Sequence, residues 1–257
     1  MNIMRRILLR VAYDGTEYCG FQVQPGKETV EGCLNAALTS LLGEKTEVIG
    51  ASRTDSGVHA LDSVVVFDTT ARIPADKFSY AVNSYLPEDI RVVKSCEVSP
   101  DFHPRKRNSR KTYAYKIYCA PFSNPLLRKY SLFLYTKLDV QKMHEGAMHL
   151  IGEHDFKSFC SEGTQALTTV RTIYDASVTE SINPDGSSMI TLRITGNGFL
   201  YNMVRIIAGT LIEIGRGRKS PSDIDEILSA CDRKCAGPTA EPQGLVLEKF
   251  VFDEPEE

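Results

Sequence analysis

A carboxylate two residues after an arginine is the first feature of this sequence that could perform chemistry. Asp55 follows Arg53 within residues 50–60, which have the sequence GASRTDSGVHA. A nearby positive charge lowers the pKa of a carboxyl group, and an ionised carboxylate can act as a nucleophile or a base. Its turn-forming neighbours place it in a loop between two strand-like runs, 46–49 and 63–67. The same residues also suit an ordinary turn, in which Asp55 caps backbone groups and Arg53 is solvated.

A dense run of cations lies between Pro100 and Thr112. It leads directly into Tyr113 and Tyr115. Basic side chains beside aromatic ones are what flexible RNA needs for phosphate neutralisation and base stacking, although charged runs are also common on solvated surfaces. The net charge of −3 does not decide the matter, because a binding groove needs only a local positive field. The cations of the run are Arg105, Lys106, Arg107, Arg110 and Lys111.

A lone arginine within an apolar helix is the third feature. Residues 196–205 have the sequence GNGFLYNMVR, and we predict a helix over 199–214 that ends at Gly215. Its apolar residues suit core packing. An unpaired buried charge is costly, so Arg205 is expected to have a carboxylate partner, for which Asp55 is the candidate.

Other chemistries find little support in the sequence. His144 and His149 are five residues apart and would point about 140° apart on a helix, so they cannot share one metal. The segment 215–220 lacks the spacing and the preceding strand of a phosphate-binding loop, and no dinucleotide-binding signature follows a strand. The seven cysteines form no C-x-x-C pair. We predict no metal and no cofactor.

The three segments, taken together, resemble the TruA family of tRNA pseudouridine synthases. Residues 53–60 (RTDSGVHA) resemble its signature loop, in which the aspartate is the catalytic nucleophile. Residues 105–115 resemble its second motif, whose first tyrosine contacts the target uridine and corresponds to Tyr113. The sequence Met-Val-Arg at 203–205 resembles a third motif, whose arginine pairs with the catalytic aspartate. Matches at 152–156 and 242–247 extend the resemblance over most of the chain.

The resemblance implies a specific function. It implies isomerisation of uridine to pseudouridine at positions 38 to 40 of the tRNA anticodon stem-loop, by a homodimer without a cofactor. Asp55 would be catalytic, and the substrate-binding residues would be Tyr113, Arg53, Arg205, Arg105 and Lys111. Asp62-Ser63 and Lys106-Arg107 depart from the usual family pattern, which bears on RNA contacts but not on the nucleophile.

These groups require a scaffold of strands and helices. The order of alternating and helical patterns predicts an α+β fold with two similar halves, each with helices packed on one side of an antiparallel sheet. We place the halves at 1–104 and 105–257, with ferredoxin-like or RRM-like topology and an active-site cleft between them. In the first half we expect a helix from Thr29 to Gly43 and a second one opening at Pro74, with Tyr85 on its inner face.

Two alternative functions are compatible with parts of this sequence. A non-catalytic RNA-binding protein of ferredoxin-like fold would not need Asp55. A glycosidase would need a second acid, and the nearest in sequence is Asp62. No apolar run has the length of a membrane span, and Ile7-Leu8-Leu9 is too short for the core of a signal peptide. We therefore expect a cytoplasmic protein.

Overall fold

The computed structural model describes residues 4–163 and 166–254, and it confirms the α+β class. The strands are β1 Arg5–Tyr13, β2 Ile49–Gly50, β3 His59–Thr69, β4 Ile90–Val98, β5 Ser109–Cys119, β6 Leu132–Leu134, β7 Gly152–Asp155, β8 Val170–Ile182, β9 Ser188–Gly196 and β10 Leu245–Phe252. The helices are α1 Val30–Leu42, α2 Phe78–Asn83, α3 Val140–Met148, α4 Met203–Gly215 and α5 Asp223–Ala230.

The chain divides into two compact units. The first comprises the residues up to Ser109 together with the chain from Leu247 onwards, and the second comprises Arg110–Val246. In the first unit the strand order is β4-β1-β3-β10, and β2 pairs with β3. In the second unit the order is β5-β9-β8-β7, and β6 runs parallel to β5.

The first unit buries both faces of its sheet. On one face, Phe67 of β3 meets Phe78 of α2 edge-on, with ring centroids 5.4 Å apart. The other face carries a second apolar cluster in which β10 takes part, formed by Leu8, Ala51, Val64, Val66, Val98, Phe102, Phe250 and Phe252. Burial on both sides explains why β3 has an almost continuous apolar run instead of an alternating one.

Helix α1 begins and ends where the sequence predicts. The Thr29 hydroxyl accepts a hydrogen bond from the Gly32 amide, and Gly43 ends the helix in the left-handed conformation at φ 72°. The prediction for the second helix was partly wrong, because Pro74 precedes a short 3-10 turn and α2 starts only at Phe78. Tyr85 lies beyond the end of α2 and is 50 % exposed, so it is not on an inner face.

Residues 46–49 do not form the expected strand, of which only Ile49 pairs with β3. Side chains accept hydrogen bonds from backbone amides that a strand would use for pairing. The Val48 amide donates to Asn35 Oδ1 at 2.8 Å, and the Thr46 amide donates to the Thr39 hydroxyl at 3.1 Å. These bonds hold the approach to the Asp55 loop against α1.

The second unit carries its helices on an antiparallel sheet. Helix α3 begins at Val140, capped by the Asp139 carboxylate, which accepts from the Lys142 amide. Gly146 lets α3 approach α4 closely, since a Cβ there would lie 2.9 Å from Ile214 Cδ1. Helix α4 starts at Met203 and not at Phe199, because Asn202 has φ 59°, which is incompatible with a helix interior.

Candidate active site

Asp55 lies in the loop that connects β2 to β3, as the sequence predicts. It is half-buried, whereas Arg53 is exposed and Thr54 is 7 % exposed. The loop closes a turn on itself, because the Val58 amide donates to the Asp55 carbonyl at 3.1 Å. Gly57 takes the left-handed conformation that this turn requires, at φ 75°. The carboxylate therefore stands on a short loop with a defined backbone.

The end of β1 and the segment that follows it hold this loop through hydrogen bonds, of which the one between Tyr13 and Thr54 is buried. The hydroxyls of Tyr13 and Thr54 lie 2.8 Å apart, and the Phe21 amide donates to the Thr54 carbonyl at 3.0 Å. On the other side of Asp55, the Ser56 hydroxyl and the Gly57 amide donate to the Tyr18 carbonyl, at 3.1 and 3.3 Å. Asp55 is thus flanked in the chain by residues fixed to the same neighbouring segment.

A glycine makes the close approach of the two segments possible. A Cβ at Gly15 would lie 2.0 Å from the Val58 carbonyl oxygen, closer than atoms can pack. The Gly15 amide donates to His59 Nδ1 at 3.1 Å, so the buried imidazole at the start of β3 also belongs to this contact. The sequence analysis did not identify Tyr13 or His59 as part of the site.

Asp62 has a structural role. Its carboxylate contacts Arg10 Nη1 at 2.5 Å through Oδ1 and accepts the Phe250 amide at 2.9 Å through Oδ2. Arg10 also donates to the Phe250 carbonyl at 3.0 Å. This carboxylate therefore holds β1, β3 and β10 together, and its two oxygens are occupied. The glycosidase alternative loses the second acid that it required.

The basic residues that precede β5 are tied to the first unit. Arg105 Nε donates to the Gly50 carbonyl at 2.7 Å, at the point where β2 enters the Asp55 loop. Burial, and then the charge of Arg53, lower the pKa of Arg105, so these two cations lie near each other. Arg107 pairs with Glu254 at 2.5 Å and stacks over Phe102. The Lys106-Arg107 departure from the family pattern thus includes a link to the segment after β10.

In the second unit, Tyr113 and Lys111 lie on one face of β5. Tyr113 is 7 % exposed and meets Phe199 edge-on, with ring centroids 5.1 Å apart. Burial, followed by the charge of Arg171, lowers the pKa of Lys111 to about 8. A lysine with such a pKa changes its charge near neutrality.

Arg205 occupies the first turn of α4. Its Nε donates to the Ala240 carbonyl at 2.7 Å, and Nη1 donates to Asn202 Oδ1 at 2.8 Å. The sequence analysis expected a carboxylate partner for this guanidinium and did not foresee these bonds to a carbonyl and an amide oxygen. The ion pair between Arg205 and Asp55 stays a prediction.

His144 in α3 and His149 just after it take part in separate contacts. His144 Nδ1 accepts from the Val178 amide at 3.3 Å, whereas His149 Nδ1 lies 2.9 Å from Asp225 Oδ2. Within residues 4–163 and 166–254, no three metal-ligating side chains come together. Over the same residues, no helix is long and apolar enough to cross a membrane.

Comparison with known proteins identifies the family of this chain. A sequence family described as tRNA pseudouridine synthase matches residues 10–105 and 147–253, which is more than half of the chain. The chain belongs to the tRNA pseudouridine synthase family. A Caldicellulosiruptor bescii protein named tRNA pseudouridine synthase A is 45 % identical to this chain. The match covers 97 % of this chain and 100 % of that protein. A Bacillus subtilis protein of the same name is 46 % identical over 96 % of this chain and 99 % of its own length.

Membership of the tRNA pseudouridine synthase family confirms the TruA resemblance and makes the chain an isomerase that converts uridine to pseudouridine in tRNA. The non-catalytic RNA-binding alternative is thereby set aside. Asp55, Arg53, Arg105 and Arg205 fall within the matched ranges, whereas Lys111 and Tyr113 fall between them.

Proposed function

We propose that this enzyme forms pseudouridine at positions 38 to 40 of the tRNA anticodon stem-loop, with Asp55 as the nucleophile. The reaction breaks the bond between uracil N1 and ribose C1′ and forms one between C5 and C1′. The hydrogen on C5 is lost as a proton, and N1 gains one, so no atoms are gained or lost and no cofactor is required. The uridine must first be flipped out of the stack, which costs a few kcal/mol.

The fixed loop around Asp55 is the observation that carries this proposal. A nucleophile has to be held in a defined position before the substrate arrives, because small displacements cost large factors in rate. Asp55 stands between Thr54, which is hydrogen-bonded to Tyr13 at the end of β1, and Ser56, which is hydrogen-bonded to Tyr18 in the segment after β1. Its half-buried position leaves part of the residue accessible to a substrate. An ordinary surface turn would not need hydrogen bonds from both chain neighbours of its aspartate, one of them buried.

The side-chain chemistry of the other site residues suggests a role for each. Arg53 and Arg205 would keep the Asp55 carboxylate ionised, since positive charge lowers the pKa of a carboxyl group. Tyr113 would contact the flipped base and assist removal of the C5 proton. Arg105 and Lys111 would bind phosphates, as cations do along an RNA backbone.

The family resemblance supports a proposal for the assembly, and the lack of a membrane-span or signal-peptide pattern in the sequence supports one for the location. We propose a homodimer that works in the cytoplasm, with one tRNA contacting both subunits. Sedimentation of the purified enzyme as a monomer over its working concentrations would contradict the dimer.

The test is to map pseudouridine in tRNA after incubation with the wild type and with Asp55→Asn and Asp55→Ala. We expect product at positions 38 to 40 with the wild type and no product with either variant, while tRNA affinity changes by less than about tenfold. Asp68→Asn is the matched control, because Asp68 is a more exposed acid on β3 that pairs with Arg6 at 2.7 Å. Turnover by the Asp55 variants at the rate of the control would refute the nucleophile, and product at other positions would refute the target.

A further inference from the structure

Tyr13 places a buried hydroxyl against the loop that carries Asp55. Tyr13 is 5 % exposed and Thr54 is 7 % exposed, and their hydroxyl oxygens are 2.8 Å apart. Removing a hydroxyl from water is costly unless it is hydrogen-bonded, so this pair stabilises one specific arrangement of the two side chains. Thr54 is the residue immediately before Asp55.

The bond fixes a residue that has little other regular structure to hold it. The described residues between Gly50 and His59 form no helix or strand, so the backbone there depends on individual hydrogen bonds. Thr54 is held at two atoms, because its carbonyl accepts the Phe21 amide and its hydroxyl meets Tyr13. Two fixed points on one residue restrict both its position and its rotation. This restricts the directions in which the Asp55 side chain can leave the backbone.

We propose that Tyr13 is a positioning residue for the isomerisation, acting through Thr54 to aim the Asp55 carboxylate. The proposal rests on the proposed function, in which Asp55 is the nucleophile. As a positioning residue, Tyr13 touches no reacting atom. Its contribution is to hold the carboxylate within the narrow range of positions from which it can attack.

The hydroxyl keeps its proton over the pH range of an assay. Burial raises the pKa of Tyr13 to about 12, which outweighs the opposing effect of its hydrogen bonds. The bond to Thr54 is therefore equally present from pH 6 to pH 9. Loss of the hydroxyl should lower the rate by the same factor across that range and leave the shape of the pH profile unchanged.

The experiment compares kcat, KM and Tm for Tyr13→Phe, Thr54→Val and the double variant with unmodified tRNA as substrate. We expect each single variant to lower kcat by about tenfold or more with KM within about twofold. The double variant should be no slower than the slower single one, because Tyr13→Phe already removes the bond that Thr54→Val removes, together with the interaction between the Tyr13 hydroxyl and Ser63. Thr54→Ser, which keeps the hydroxyl, should retain most of the wild-type kcat.

Ser95→Ala is the control for a purely structural role. Ser95 has a buried hydroxyl that accepts the Ser79 amide at 2.9 Å, between β4 and α2. Its removal should lower Tm but not kcat. The proposal is overturned if Tyr13→Phe keeps the wild-type kcat, if its loss disappears once the fraction of folded protein is accounted for, or if the two single losses multiply. Should Tyr13→Phe fail to fold, the contrast between Thr54→Val and Thr54→Ser decides, and equal rates for that pair overturn the proposal.

The Asp55 variants separate this inference from the proposed function. If Asp55→Ala is inactive while Tyr13→Phe is fully active, only the positioning role fails. If Asp55→Ala turns over tRNA, the nucleophile assignment fails whatever Tyr13 does.

Discussion

The lowered pKa of Lys111 predicts that tRNA binding weakens as the pH rises from 7 to about 8.8. A lysine in water stays charged over this range, but burial brings the pKa of Lys111 to about 8. The charged fraction then falls from about nine-tenths at pH 7 to roughly one-seventh at pH 8.8. If only the charged form contacts phosphate, the apparent Kd is inversely proportional to that fraction, so affinity should fall about sixfold.

Fluorescence anisotropy with labelled tRNA that already carries pseudouridine measures this effect without interference from turnover. Lys111→Arg is the informative variant, because a guanidinium remains charged throughout this range and the pH dependence should disappear. Lys116→Arg is the matched control, since Lys116 is a half-buried lysine on the same strand, and its pH dependence should follow the wild type. Equal pH dependence in the wild type and Lys111→Arg would refute the reasoning, either because Lys111 does not titrate there or because it does not contact RNA.

Two further predictions concern other parts of the site. Tyr113→Phe should bind tRNA with unchanged affinity but isomerise it more slowly in single-turnover experiments, and an unchanged rate would remove the hydroxyl from the mechanism. Asp62→Asn should destabilise the fold by about 2 kcal/mol in urea unfolding, because it weakens the ion pair with Arg10 and leaves the Phe250 amide with a poorer acceptor. Unfolding at the wild-type urea concentration would show that these contacts contribute little.

The loop that carries Asp55 was predictable because its information is local. Turn-forming residues, a carboxylate and an arginine lie within eleven consecutive positions, and the resemblance to a known family adds their chemistry. Helix α1 was predictable for the same reason, since its cap, its apolar stripe and its final glycine are all contained in one short stretch. The family resemblance also pointed to Tyr113 and Arg205, but not to the contacts of Tyr113 with Phe199 and of Arg205 with Ala240 and Asn202.

The contacts that hold the loop could not be predicted, because they join residues far apart in the chain. Tyr13 and Thr54 are separated by 41 positions, and Asp62 and Phe250 are separated by 188. A tyrosine at the end of a buried strand is equally compatible with plain core packing. The prediction of a strand at 46–49 failed for the same reason, because the hydrogen bond from the Val48 amide to Asn35 depends on how α1 packs. The structural role of Asp62 could not be predicted, because nothing adjacent in sequence indicates its partner Arg10.

The placement of β10 has a consequence for how the protein is made. The first unit takes a strand from residues beyond 246, and Asp62, Arg10 and Arg107 all bond to that distant stretch. When the ribosome has added residue 246, every residue of the second unit has been synthesised, but only the first two residues of β10 have been. The aspartate loop is translated early, yet the unit that bears it gains its full set of strands only after the second unit has been synthesised.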